Sequence, residues 1–125
     1  MEGTSTHNLY DLTDIEMLSK NDDALLGNIL GILVSMFESE ADNIKALVPE
    51  GKWKEVAEVA HKLKTSVTHI RANAVRENVL ELENYNGKSN AELTALAEKL
   101  CNSLAEMRVH LQSDLDKFNA RKSAE

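Results

Sequence analysis

The chain has 125 residues, the length of one domain, which can bury roughly two-thirds of its unfolded surface in a single core. Hydrophobic residues make up 42% of the chain and aromatic residues only 4%, so we expect a core of aliphatic side chains, which favours helices over a sheet. The net charge of −7 argues against binding to nucleic acid or to an anionic membrane surface.

The N-terminal region is predicted to hold a polar tail and one short helix. Residues 1–8 are small and polar, and we expect them to be disordered. They show no basic stretch followed by an apolar run, so no secretory signal is predicted. Further on, Asp11 or Thr13 is a candidate cap for a short helix whose Ile15 and Leu18 pack onto the main body.

A long second helix is predicted from an acidic cap at residues 21–23 to about Val48. Between Ala24 and Phe37 no residue is charged and ten of fourteen are apolar. This run is too short and too interrupted by glycine and polar residues to span a membrane, which takes about 20 apolar residues. The apolar surface of this run is wider than one core stripe requires. We expect the N-terminal helix to cover the additional apolar surface, or part of that surface to remain exposed as a docking patch.

The segment Pro49-Glu50-Gly51-Lys52 is predicted to end the second helix and to turn the chain. Trp53 opens the third helix and is expected to anchor the turn by packing. Apolar residues then recur at alternating steps of four and three and form one core stripe: Val56, Ala60, Leu63, Val67 and Ile70. His61 lies beside that stripe, on a flanking row that also holds Ala57, Lys64, Thr65 and Thr68.

Two further helices complete the pattern. The first ends near Glu83, and a loop rich in turn residues leads to a cap at Ser89 or Asn90. The last helix has apolar residues at three-and-four spacing and is predicted to run to about Ala120. We therefore predict an all-α domain over residues 9–120, an up-down-up-down four-helix bundle with a short additional N-terminal helix. Residues 121–125 are expected to fray.

The stretch His61-Lys62-Leu63-Lys64-Thr65-Ser66, with Ala60 before it, resembles the His-x-Leu-Lys-Gly-Ser signature of histidine-containing phosphotransfer (HPt) domains. The resemblance extends from about Leu9 to the C-terminal region. Two positions depart from the family pattern. Thr65 stands where the family usually has glycine, and Arg71 stands where a second small residue is common.

The resemblance implies a phosphorelay carrier. A neutral imidazole can attack phosphorus and form a covalent phosphohistidine, which splits a transfer into two steps. His61 is the predicted phosphoryl acceptor, and Lys64, one turn on, is predicted to pair with the phosphoryl oxygens. By its position on the following helix, Glu83 matches the residue that in this family orients the imidazole. A carboxylate there would hold the Nδ1 proton and leave Nε2 free.

The implied partners are receiver domains of response regulators and a hybrid histidine kinase. The chain shows no Gly-rich nucleotide loop and no acidic Mg²⁺ cluster, so we expect no kinase or phosphatase activity of its own. No bound cofactor is expected, since Mg²⁺ belongs on the receiver partner, and no metal site is predicted from the histidines. The docking zone is predicted to include Ala57, Thr65 and Thr68, with Ile32 and Met36 on the second helix.

Two other functions stay open. The chain could be a helical interaction module that binds a receiver or another signalling partner without being phosphorylated, as Thr65 and Arg71 suggest. It could also be a self-associating scaffold, a hypothesis that depends only on the broad apolar face of the second helix. We expect a monomer that binds neither nucleic acid nor membrane. With no secretory signal, the expected location is the cytoplasm, and the single cysteine, Cys101, which excludes an intrachain disulfide, fits a reducing compartment.

Overall fold

The computed structural model describes residues 9–20 and 22–124, which form five α-helices and no strand. The helices are α1 (Thr13–Ser19), α2 (Asp23–Leu47), α3 (Trp53–His69), α4 (Asn73–Glu83) and α5 (Asn90–Ala124), and a 3-10 turn, Val48–Glu50, follows α2 directly. The all-α class, with one short helix ahead of four others, is confirmed. The tail predicted for residues 1–8 lies outside the described residues, and the fraying predicted for 121–125 stays a prediction.

Side-chain caps fix the starts of two long helices. Asp22 accepts a hydrogen bond from the Leu25 amide at 3.0 Å, which confirms the acidic cap predicted at residues 21–23. At the start of α5, the Ser89 hydroxyl accepts from the Glu92 amide at 3.1 Å, and the Glu92 carboxylate accepts from the Ser89 amide at 3.2 Å. This reciprocal pair satisfies two amides that have no partner inside the helix.

The core is aliphatic and is built from one stripe on each long helix. The stripe predicted on α3 is fully buried, from Val56 to Ile70. It meets the buried face of α2, which centres on Phe37, and the buried face of α5, which centres on Leu104. Each fully buried Leu, Val or Phe stabilises the fold by about 1.5–3 kcal/mol relative to an exposed side chain. The position of His61 at the edge of this stripe is therefore set by the packing of α3.

The most extensive helix pairings are α2 with α5 and α3 with α4. Along α2 and α3, Met36 lies against Ser66 and Glu40 pairs with Lys62, so the two helices run antiparallel. Contacts between α3 and α4 also run antiparallel, and these two helices form a hairpin that turns at Arg71. The complete up-down-up-down topology stays a prediction, which these contacts support.

Residues Leu9–Ser19, here called the N-terminal strap, cross the end of the bundle where the α3–α4 hairpin turns. The Asp11 amide donates to the Ile70 carbonyl at 2.7 Å, and the Tyr10 hydroxyl donates to Asp114 on α5 at 2.5 Å. Ile15 is buried as predicted, whereas Leu18 is 67% exposed. The prediction that Leu18 packs onto the body is wrong, because Ile15 alone of the two faces the core.

The apolar character of α2 shows in two ways. By length and composition the run Asp23–Glu50 qualifies as a candidate membrane span, although core helices of soluble proteins pass the same test. One face of α2, including Leu30, Phe37 and Ile44, is buried in the bundle core. The opposite face leaves Ile32 64% exposed. The expectation that the chain binds no membrane stays a prediction.

Candidate functional site

His61 lies on the middle of α3 and faces solvent. Its neighbours in sequence, Ala60 and Leu63, are fully buried, so the helix is held rigidly while the imidazole side chain remains 68% exposed. A side chain on a packed helix has a fixed position relative to the core. The imidazole is thus accessible to another molecule, and its backbone does not need to rearrange to present it.

Glu83, at the end of α4, bridges His61 and Lys64. One carboxylate oxygen, Oε2, lies 2.5 Å from His61 Nδ1, and the other, Oε1, lies 3.1 Å from Lys64 Nζ. The Glu83 side chain is only 18% exposed, and Lys64 is 33% exposed. The structure therefore brings together the three residues that the sequence analysis placed at the centre of the site, and we call them the His61–Glu83–Lys64 cluster.

The charge state of Glu83 determines which imidazole nitrogen carries the proton. Partial burial opposes its ionisation, but hydrogen bonds from His61 and Lys64 outweigh burial and lower the pKa of Glu83 below its ordinary value. An ionised carboxylate can only accept hydrogen bonds, so the proton of a neutral His61 ring lies on Nδ1. Nε2 then bears the lone pair, and it has no hydrogen-bond partner among the described residues.

The flanking row predicted on α3 divides into three kinds of position. Ala57 is 9% exposed and forms the floor of a hollow beside His61. The Thr68 hydroxyl donates to the Lys64 carbonyl at 2.7 Å and accepts from Arg76 Nε at 3.2 Å, so Thr68 joins α3 to α4. Thr65 is exposed and lies four residues beyond His61, on the same side of the helix.

The two α2 residues of the predicted docking zone, Ile32 and Met36, differ in their exposure. Ile32 is exposed and lies on an open groove with Met36 and the small residues of that face. Met36 is half-buried, and its sulfur accepts a weak hydrogen bond from Ser66 Oγ at 3.7 Å. Ile32 is therefore free to contact a partner, whereas Met36 also helps to hold α2 against α3.

The hollow beside His61 has lining residues that sequence analysis missed. Lys54, Glu58 and Lys62 contribute from α3, and Tyr85 contributes from the loop after α4. Lys54 could have been found from its spacing, since it precedes His61 by seven residues and so lies on the same side of the helix. Tyr85 carries no such signal, because its position depends on how the loop after α4 folds back.

The other described residues show neither a metal site nor a reactive thiol. Within residues 9–20 and 22–124, no group of three or more His, Cys, Asp or Glu side chains is arranged to hold a metal ion. Cys101 is buried, and its thiol lies 3.7 Å from the Ala41 carbonyl. Burial raises the pKa of this thiol, which disfavours the reactive thiolate form.

Comparison with known proteins gives a family and one relative. The model of the Hpt domain family matches residues 28–120. The chain is 27% identical over 79 residues to the virulence sensor protein BvgS of Bordetella pertussis. That stretch is 63% of this chain and 6% of BvgS, so the chain spans only a small part of its relative. No solved structure matches the chain significantly.

Proposed function

The chain belongs to the Hpt domain family, and from this we propose that it is a phosphorelay carrier. His61 accepts a phosphoryl group from the aspartate of one receiver domain and passes it to the aspartate of another. The observation that carries the proposal is the 2.5 Å contact between His61 Nδ1 and Glu83 Oε2, combined with an exposed imidazole whose Nε2 has no partner among the described residues. It supports a nucleophile whose attacking nitrogen is aimed outward.

The transfer step balances with groups that the chain and a receiver supply. Nε2 attacks the phosphorus of an aspartyl phosphate, the P–O bond to the aspartate breaks, and its electron pair leaves on the carboxylate. The new N–P bond leaves the imidazole positively charged, because the Nδ1 proton stays in place. Glu83 acts as a positioning residue in this step, since its carboxylate keeps that proton and neutralises the charge that develops on the ring.

Lys64 is positioned for a second role. Its ammonium lies against Glu83, and because Lys64 is one turn from His61 on α3, its flexible side chain can reach a phosphoryl group on the imidazole. A lysine ammonium has three donors and can serve Glu83 and the phosphoryl group together. Lys64 therefore offsets part of the negative charge that the transfer brings to His61.

The groups that catalyse the transfer belong to the partner. The chain acts as a carrier without kinase or phosphatase activity, and the receiver supplies the Mg²⁺ that neutralises the transferring phosphoryl group. The partners are response-regulator receivers and a hybrid histidine kinase. The chain acts as a monomer in the cytoplasm. We expect a receiver to contact two exposed residues. Thr65 lies on the flanking row of His61 on α3, and Ile32 lies on the adjoining helix, α2.

The experiment is phosphoryl transfer from a phosphorylated receiver domain to the wild type and to His61→Gln. Transfer is detected by intact mass as phosphate that is labile in acid and stable in alkali. We expect the wild type to gain one phosphoryl group and His61→Gln to gain none. If neither protein is phosphorylated while the receiver still binds, the chain is an interaction module that does not carry phosphate, and the proposal is wrong.

A further inference from the structure

Of the three lysines around His61 and the hollow beside it, one has no counterion among the described residues. Lys64 pairs with Glu83 at 3.1 Å, and Lys62 pairs with Glu40 at 3.6 Å. Lys54 lines the same hollow and is exposed, yet it forms no ion pair with any residue in the described part of the chain. It is thus a cation available to a negative group that enters the hollow.

The helix geometry places Lys54 on the same side of α3 as His61. Seven residues are nearly two full turns, so the two Cα atoms lie on the same side of α3 and about 10.5 Å apart along its axis. The side chains of Lys54 and His61 line the same hollow, together with Ala57 and Glu58 from the turn between them. A phosphoryl group attached to Nε2 in this hollow would be within reach of the long, flexible lysine side chain.

Formal charges show why a second cation is needed. Phosphorylated His61 brings two negative charges on the phosphoryl group and one positive charge on the ring. Glu83 and Lys64 add one charge of each sign and pair with each other at 3.1 Å. The cluster is then left with one negative charge in excess, and Lys62 is already paired with Glu40. The described residues that line the hollow also include the anionic Glu58, and among them Lys54 is the cation without an ion-pair partner, so it is the group that can balance this charge.

We propose that Lys54 is the second cation that holds the phosphoryl group on His61, and that Tyr85, which lines the same hollow, donates a hydrogen bond from its hydroxyl to that phosphoryl group. Tyr85 is half-buried against the core, so its ring is fixed, and its hydroxyl has no partner within the described residues. The inference depends on the proposed function, because it concerns the phosphoryl group that His61 is proposed to accept.

The experiment uses phosphoramidate, a small donor that docks on no protein surface. Its P–N bond breaks as an N–P bond forms to His61, and ammonia leaves, so the reaction reports contacts to the phosphoryl group alone. We expect Lys54→Gln to accept phosphate about two- to fivefold more slowly, the effect of losing one solvent-accessible ionic contact. Tyr85→Phe should slow acceptance by a smaller factor, and Lys54→Arg should stay near wild type.

Two controls separate this role from general effects. Lys99→Gln removes an exposed lysine on α5, outside the hollow, and should leave the rate unchanged. The difference between wild type and Lys54→Gln should shrink as salt is raised, since ions screen an exposed pair. Thermal melting of each variant checks that the fold is retained.

The outcomes distinguish the two proposals. If the wild type takes phosphate at His61 and Lys54→Gln takes it equally fast from phosphoramidate and from a receiver, the role of Lys54 is overturned while the carrier function stands. If Lys54→Gln is slow only with the receiver as donor, Lys54 contacts the partner and not the phosphoryl group, which also overturns the inference. If the wild type takes phosphate from neither donor, the proposed function itself fails.

Discussion

Glu83 Oε2 lies 2.5 Å from His61 Nδ1, although the two residues are 22 positions apart and lie on different helices. The contact is made at the open end of the α3–α4 hairpin, whereas the turn of that hairpin is held by the N-terminal strap at the other end. The orientation of the imidazole therefore depends on how α4 packs against α3. The first prediction concerns this contact directly.

Replacing Glu83 should slow phosphoryl acceptance without removing it. In Glu83→Ala the Nδ1 proton loses its acceptor, and we expect a rate about five- to tenfold lower, which corresponds to the net value of one hydrogen bond, about 1 kcal/mol. Glu83→Gln retains an oxygen that accepts from Nδ1 but loses the negative charge, so it should recover only part of the rate. ¹⁵N NMR of His61 should show the Nδ1-protonated ring in the wild type and a mixture of tautomers in Glu83→Ala. An unchanged rate in Glu83→Ala would contradict the positioning role.

The lowered pKa of Glu83 predicts a loss of stability in acid. Because the folded protein binds this proton more weakly than the unfolded chain, protonation favours unfolding. The stabilisation is complete above the ordinary value of 4.5 and is lost as the pH falls through the lower folded value. Urea unfolding from pH 7 to pH 3 should therefore show a steeper fall for the wild type than for Glu83→Gln.

Hydrogen bonds from Thr13 also lower the pKa of Asp11, so Asp11 contributes a loss of stability in acid of the same sign. Because Asp11 is present in both proteins, its contribution cancels when the wild type is compared with Glu83→Gln. Parallel curves for the wild type and Glu83→Gln below pH 5 would show that Glu83 is not stabilised as an anion.

Arg71 should tolerate glycine better than alanine. Its backbone is left-handed, with φ of 52°, and its guanidinium donates to both Asp14 oxygens, at 2.7 and 3.0 Å. Either substitution removes this exposed ion pair, but glycine also removes the cost of a left-handed backbone. We expect Arg71→Gly to be about 1 kcal/mol more stable than Arg71→Ala in chemical unfolding. Equal stabilities would show that the backbone at this turn relaxes in the variants.

Thr65→Ala tests the position where the family usually has glycine. If the β-branched side chain restricts the approach of a receiver, the variant should accept phosphate faster from a receiver and at the same rate from phosphoramidate. Alanine is also the better helix former, so stability should rise by a few tenths of a kcal/mol. A slower rate with both donors would show instead that the Thr65 hydroxyl donates to the phosphoryl group.

A matched pair of truncations separates the core from the proposed docking surface. Leu63 is fully buried, and Leu63→Ala should lower the free energy of unfolding by about 2–5 kcal/mol. Ile32 is 64% exposed, and Ile32→Ala should change stability by less than about 0.5 kcal/mol while weakening binding to a receiver, as measured by calorimetry. Unchanged receiver binding in Ile32→Ala would remove Ile32 from the docking surface.

Much of the fold could be predicted because it depends on local patterns. The stripe from Val56 to Ile70 predicted both the span of α3 and its buried face, and Ser89 with its neighbours predicted the start of α5. Leu18 was misassigned because a seven-residue helix offers too few turns to fix which side faces the core. Contacts between distant residues were also beyond local patterns, such as the hydrogen bond from Trp53 Nε1 to Asn90 at 2.8 Å.

The site divides in the same way. Spacing on one helix placed His61 and Lys64 together, but the facing position of Glu83 came from the family resemblance and not from periodicity. The ion pair of Arg71 with Asp14 spans 57 positions and has no local signature. The hollow with Tyr85 depends on a loop conformation that composition alone does not determine.

The N-terminal strap also decides how the domain can be tethered. Tyr10 lies against Asp114, in the C-terminal half of α5. The described chain therefore begins at the same end of the bundle toward which α5 runs. His61 lies on the side of α3, about nine residues before the Ile70 carbonyl that the strap contacts, which is about 13 Å along the helix. An anchor that holds the bundle by this end would therefore leave the imidazole facing sideways from it, open to another protein. Attachment by one end would raise the local concentration of the domain without masking His61.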